Sequence, residues 1–248
     1  MNIKSLACLT AALAVGTALA DIEIQLGLTK VDSPNKNTIV AVPYKGFTPG
    51  QNITVADVVK TANLQAGDLC YVMSETAGLY NAWELKADTG DVLYWDPVSQ
   101  VKQKSDGTVD VGSSPSPSAT PLAPGSALWI VRNGDNRDYS KPFYLWGSYE
   151  GTVPPSTVTA SDNGTWNLIA NTGVSAVSVN QLITKLGDNV ATGDLIVLPN
   201  NAQGVTYRRM SGRWTGTNLD TMKIEPGMGC WVFKKGTAGS ISISWPNE

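Results

Sequence analysis

The chain has 248 residues, 18 of them basic and 21 acidic, with a formal charge of −3 and no histidine. Without histidine, Ser-His-Asp and Cys-His nucleophile systems are excluded, as is the commonest transition-metal ligand. Mild acidity without a basic run gives no reason to expect nucleic acid or an anionic membrane as partner.

In chain order, residues 1–20 read as an export leader. Lys4 supplies a positive start, Leu6 to Val15 an apolar stretch, and Ala18-Leu19-Ala20 a cleavage site. The apolar stretch is too short and too rich in small residues to span a bilayer. The expected mature chain starts at Asp21, is extracellular or on the cell surface, and has no transmembrane segment. It holds either one large β domain or two of about a hundred residues each. Cys70 and Cys230 remain after cleavage. A disulfide between them in an oxidising compartment and a pair of buried free thiols both fit.

Residues 21–28 alternate apolar and polar, with Ile22, Ile24, Leu26 and Leu28 on one face, as in a half-buried strand. This extended segment (21–36) has no obvious match later in the chain. It is therefore a candidate assembly strand, pairing either with its own sheet or with a neighbour's edge. A first module follows over 37–149. It opens on the apolar run Thr38 to Val42, then a short helix with Thr54 as N-cap and Asp57 three residues on. Gly67-Asp68-Leu69 leads into a strand, and an aromatic meander runs from Leu79 to Trp95. An insertion at 102–123, rich in Ser, Pro and Gly, reads as an exposed loop whose Ser/Pro core builds no ladder.

Pro124-Gly125-Ser126-Ala127-Leu128-Trp129-Ile130-Val131 then closes the module: a type II turn feeding a buried strand. The same device recurs 102 residues later as Pro226-Gly227-Met228-Gly229-Cys230-Trp231-Val232-Phe233. Residues 150–163, with Pro154-Pro155 among small polar residues, read as a linker. A second module over 164–248 repeats the pattern. Trp166-Asn167-Leu168-Ile169 opens it, Ser178 and Gln181 form a capping box, and Gly193-Asp194-Leu195 precedes a strand. The tryptophans divide four and four between the modules. The predicted architecture is mainly β: two tandem, internally duplicated β-sandwich or barrel-like modules, each with one short capped helix.

The Trp-Asn-Leu-Ile opening, the capped helix, Gly-Asp-Leu and Pro-Gly-x-Gly-x-Trp-Val together resemble a tandem β-repeat of secreted bacterial proteins. Those proteins carry an N-L-[IV] opening strand and a P-G-x-[GA]-x-W-[IV] closing strand. The first copy departs at Thr38-Ile39-Val40 and at Ala127, where the second has Gly229. The resemblance implies a surface or extracellular β module and no particular reaction.

Residues able to carry chemistry are few. Asp68, Glu75, Glu84, Asp88, Asp91 and Asp96 are the acids a glycosidase would need facing a cleft, but Asp68 and Asp194 recur in both modules and look structural. Asp106 to Asp110 and Asp135 to Asp138 offer oxygens without an EF-hand order. No cofactor, metal or catalytic residue is expected. Tyr80, Trp83, Tyr94 and Trp95 form an aromatic group suited to stacking on sugars, Trp83 and Tyr94 having no obvious counterpart in the second module. The sequence therefore predicts a non-enzymatic surface protein acting by self-association or adhesion, its partner itself or a surface glycan or protein. Carbohydrate binding is the alternative.

Overall fold

The computed structural model of the chain describes residues 26–31, 37–46, 48, 50–61, 64–74, 80–103, 109–133, 143–148, 153–187, 190–199 and 205–246. Residues 1–20, read above as an export leader, and Ile22, Ile24, Glu75 and the acidic stretches 106–108 and 135–138 lie outside them.

The first module runs β1 (Leu26–Val31), β2 (Asn37–Val42), β3 (Ile53–Thr54), α1 (Val55–Thr61), β4 (Leu69–Met73), β5 (Tyr80–Ala87), β6 (Leu93–Pro97), β7 (Ser99–Gln103), β8 (Val109–Ser113), β9 (Pro121–Leu122), β10 (Ser126–Val131) and β11 (Phe143–Ser148). The second runs β12 (Ser156–Ala160), β13 (Thr165–Ala170), β14 (Val177–Ser178), α2 (Val179–Leu186), β15 (Leu195–Leu198), β16 (Val205–Met210), β17 (Arg213–Thr215), β18 (Lys223–Ile224), β19 (Gly229–Lys234) and β20 (Gly239–Ile243). The mainly-β, duplicated architecture read from the sequence is the one observed.

Topology matches strand for strand. A five-stranded sheet β2-β10-β4-β5-β6 has its counterpart in β13-β19-β15-β16-β17. The pairs β1-β11 and β3-β9 correspond to β12-β20 and β14-β18. Among the described residues, the β7-β8 hairpin and the short 3-10 turn Pro117–Ala119 have no partner element in the second module.

Alternation explains the cores. In β10, Leu128 and Ile130 point into the first core with Val40, Val42, Trp83 and Leu85. In β19, Cys230 and Val232 do the same in the second core with Ile169, Ile196 and Tyr207. Each helix lays its apolar stripe on its own core, Val55 and Val58 in the first and Val179, Leu182 and Leu186 in the second. Burying one such side chain contributes about 1.5–3 kcal/mol.

Both Pro-Gly turns are of the predicted kind. Gly125 has φ 90° and Gly227 φ 82°, and the N–H groups of Ser126 and Met228 close the turns on the carbonyls of Ala123 and Glu225, each at 3.0 Å. The capping box at α2 is complete: the Gln181 N–H donates to Ser178 Oγ at 3.1 Å and the Ser178 N–H to Gln181 Oε1 at 2.7 Å. At α1 the Asp57 carboxylate instead accepts from both the N–H and the hydroxyl of Thr54 (3.0 and 2.7 Å).

Three expectations need correction. Residues 150–163 are more than a linker, since they contain β12, which pairs antiparallel with β20. That strand is the counterpart of β1, which pairs with β11 of its own chain, Leu26 opposite Ser148 and Leu28 opposite Trp146. The N-terminal strand is therefore a standard part of a module. Its match was hidden because Ser156-Thr157-Val158-Thr159 reads as polar and follows two prolines.

The insertion, expected as an exposed loop, forms the β7-β8 ladder. Its Ser/Pro segment is anchored: the Ser114 hydroxyl accepts the Ala82 N–H at 2.8 Å, and the Pro115 carbonyl accepts the Trp83 indole N–H at 2.8 Å. Of the two readings of Cys70 and Cys230, the buried free thiols are the one observed, each in a separate core.

Candidate functional site

The two modules meet through equivalent residues. In the β2-β10 ladder Ile39 faces Trp129 and Ala41 faces Ala127. In the β13-β19 ladder Leu168 faces Trp231 and Ala170 faces Gly229. These positions, on the faces turned away from the two cores, form a third apolar cluster between the modules. The seam is thus built like a two-fold interface within one chain, the same patch being used on both sides.

Gly229 shows why one copy of the motif has glycine. A Cβ there would stand 2.6 Å from Ile39 Cγ2 and 2.2 Å from the Ile169 carbonyl oxygen, so the Ile39 methyl fills the space a side chain would need. The Ala41 N–H reaches across to the Gly227 carbonyl at 2.9 Å. At the equivalent place on the other side, the Ser156 hydroxyl lies 3.3 Å from the carbonyl oxygens of both Gly125 and Ala170. The start of β12, which brings in Ser156, breaks the symmetry there.

An aromatic group sits on the seam. Trp129 stacks on Tyr71 at 4.5 Å and meets Trp231 edge-on at 5.0 Å, with Tyr80 edge-on to Trp129 at 6.0 Å. Edge-on and offset contacts of this kind add about 0.5–1.5 kcal/mol each beyond area burial. Burial pushes the Tyr80 phenol up to about 12, against a smaller opposing effect of its hydrogen bond with Trp231. Burial, and then the neighbouring Cys70, raise that of Tyr71. Near this group the seam opens into a cleft of about 310 Å³ between Met73, Pro124, Pro155 and Leu168. Its polar groups are hydroxyls and backbone, with Ser126, Ser156 and Thr157 lining it, so it offers shape and hydrogen bonds but no acid–base pair.

The repeated acids lie elsewhere and are fully buried. Asp194 accepts the N–H groups of Ala191 and Lys235, both at 2.8 Å, and forms an ion pair with Lys234 Nζ at 2.9 Å. Asp68 accepts the N–H groups of Gln65 and Asn133, both at 3.0 Å. Arg132, also buried, takes the place of Lys234 in the first module. Each carboxylate thereby pins a turn to the strand that closes its module. Among the described residues no group of three or more His, Cys, Asp or Glu is placed to hold a metal, and no helix is long and apolar enough to cross a membrane.

The sugar-stacking face expected of four aromatics is not assembled. Trp83 is fully buried and Trp95 is 4 % exposed, both in the first core. Tyr80 packs into the seam, and Tyr94 alone is on the surface, at 45 %. Trp83 does have a counterpart: it faces Cys70 across the ladder as Tyr207 faces Ile196. Glu84, Asp88, Asp91 and Asp96 lie along the β5-β6 hairpin instead of around a cleft. There Asp88 Oδ1 accepts the turn N–H groups of Gly90 and Val92, and Asp96 pairs with Lys86.

What the residue-level reading missed is the seam. Its signal was present in the strand alternation, which places Trp129 and Trp231 on the face opposite the core. The fold therefore defines a mainly-β protein of two fused, equivalent modules. No family model, curated protein or solved structure matches the chain.

Proposed function

We propose that this is a secreted, non-enzymatic structural protein of the cell surface or extracellular space, working by self-association or adhesion. The observation that carries the reading is the seam. The module already recognises a copy of itself through Ile39, Ala41, Ala127 and Trp129 against Leu168, Ala170, Gly229 and Trp231. The buried acids support it too, since both are engaged in holding their modules closed. The leader sequence and the resemblance to secreted bacterial repeat proteins support the location. Carbohydrate binding required Trp83 and Trp95 at the surface, and no observation now favours it.

Analytical ultracentrifugation and negative-stain electron microscopy of the mature protein, together with its retention on whole cells, test the reading. Larger species with rising concentration, or retention on the surface, are expected. A monomer at every concentration that is not retained by cells sinks it. The role of β1 is separable, because Lys30 and Tyr144 are register partners in β1 and β11. In Lys30→Cys/Tyr144→Cys, a disulfide within one chain keeps β1 at home, whereas disulfide-linked ladders mean that it is donated.

A further inference from the structure

The β5-β6 and β16-β17 hairpins occupy the same place in the two modules. Leu85 faces Trp95 in one and Arg209 faces Trp214 in the other. Each hairpin supplies the outermost strand of its sheet, beyond the strands that make the seam. Fold equivalence would lead one to expect similar surfaces, yet they are opposite in charge. From Tyr80 to Pro97 the first hairpin carries Glu84, Asp88, Asp91 and Asp96 against Lys86, a net −3. From Val205 to Thr215 the second carries Arg208, Arg209 and Arg213 and no acid, a net +3.

The match extends to position. Glu84 corresponds to Arg208, each sitting one residue beyond the buried ring of Trp83 or Tyr207. Asp88, Asp91, Arg208 and Arg213 are exposed, and among the described residues none of the three guanidiniums has an ion-pair partner. Each hairpin also exposes apolar surface: Val92 at 61 % and Tyr94 at 45 % on the acidic one, Met210 at 48 % on the basic one. An apolar centre with a charged rim is the usual composition of a protein contact.

We propose that the acidic β5-β6 hairpin of one molecule docks on the basic β16-β17 hairpin of a second copy of this chain. The proposal rests on the self-association reading above and names its contact. Because the two surfaces differ, the contact is heterologous. The self-complementary patch is used up at the seam, so each molecule carries one acidic and one basic docking surface. Repetition then gives an open filament, or a ring if the rotation closes. Arg208 and Arg213 share the outer face of the short hairpin and repel one another, and the acidic hairpin of a neighbour relieves that repulsion. Opposite charges brought together attract one another, and more strongly as water is excluded. Charge complementarity also rejects the two like-charged pairings, fixing the head-to-tail direction.

The test is sedimentation and electron microscopy of the mature full chain at low and high salt, for the wild type, Arg208→Glu/Arg213→Glu and Glu84→Lys/Asp96→Lys. Denaturation midpoints show whether each variant is folded. The expected result is wild-type association that weakens about tenfold or more as salt rises through the range where the Debye length falls below 10 Å. Each variant alone should be monomeric, and mixing the two should restore association, since one then presents only acidic hairpins and the other only basic ones. Association that ignores salt and both variants overturns this contact while leaving self-association standing. A wild type that stays monomeric at low salt overturns this contact, and leaves adhesion as the only form of the broader reading. A monomeric wild type whose arginine hairpin instead retains heparin assigns that face to a polyanion and overturns the docking to a second copy.

Discussion

The two modules share every strand pairing that closes them, and they differ in what covers those pairings. Trp83 and Tyr207 hold the same buried position, but the Trp83 N–H finds the Pro115 carbonyl, which the insertion supplies. The Tyr207 hydroxyl, in a module without that insertion, has no hydrogen-bond partner among the described residues. Instead, Gly216 lies so close that a Cβ there would stand 2.5 Å from the Tyr207 ring. The insertion thus completes a polar group that the shorter module leaves bare. Most differences between the copies fall at the surface and at the ends of polar side chains, an exception being buried Leu85, whose place Arg209 takes, while the acid-pinned turns recur in both.

The largest expected break in that equivalence lies at the pinned turns. In Asp194→Ala the Lys234 ammonium, whose side chain is 2 % exposed, loses its carboxylate, and two backbone N–H groups lose their acceptor. An uncompensated buried charge costs about 3–5 kcal/mol. Urea unfolding should show that loss, with a separate low-urea transition if the second module melts ahead of the first. Asp68→Ala should act in the same direction on the first module. A loss below about 1 kcal/mol in Asp194→Ala would mean that the pair is not closed in solution.

Next in size is the seam. Gly229→Ala places a methyl against Ile39 and the Ile169 carbonyl, an overpacking worth about 1–3 kcal/mol. The mirror substitution, Ala127→Gly, opens space where the partner module already tolerates a methyl and should cost only about 0.5–1 kcal/mol. Equal effects from the two would show that the modules do not pack through these strands.

Much of this was legible in the sequence because repetition made it so. The Pro-Gly turns, the capping box and the Gly-Asp-Leu turns are local devices whose residues declare their geometry. β12 was hidden because Ser156 and Thr157 look like linker, and only pairing with β20 makes Ser156-Thr157-Val158 a strand. The surface aromatics were misread for a related reason. Trp83 and Trp95 lie in a meander dense with polar residues, and which face of that meander is buried depends on pairing with β4, a long-range fact. The seam and the opposed hairpins are further still from local rules, since each appears only when equivalent positions of the two copies are superimposed.

A smaller effect separates the two helices. Ser178→Ala removes the acceptor for the Gln181 N–H and should cost α2 about 1 kcal/mol. The Thr54 hydroxyl donates to Asp57, so Thr54→Ala should cost the first module less. Thermal melts of the two variants compare them directly, and a larger loss in Thr54→Ala would contradict the difference in capping.

The smallest effect is the seam's share of the alkaline pH dependence. Tyr80 belongs to the first module and bonds Trp231 of the second, and burial raises its phenol to about 12 from an ordinary value near 10. The unfolded chain therefore loses this proton first as the pH rises. Between about pH 10 and 12 the unfolded state binds fewer protons than the folded one, so stability falls with rising pH. The contribution is whole below pH 10 and is lost as the pH climbs through 12. Tyr80→Phe has no proton to lose at that position. It should be slightly less stable at neutral pH, where the Trp231 indole lacks its acceptor, yet show a shallower decline in urea midpoint from pH 9 to 11. The Tyr71 and Tyr207 phenols and the Cys70 and Cys230 thiols, all raised by burial, leave a remaining slope in both proteins. Identical slopes for the wild type and Tyr80→Phe would mean that Tyr80 is hydrated in solution, and that the aromatic contact between the modules is looser than the packing of Trp129 on Trp231 implies.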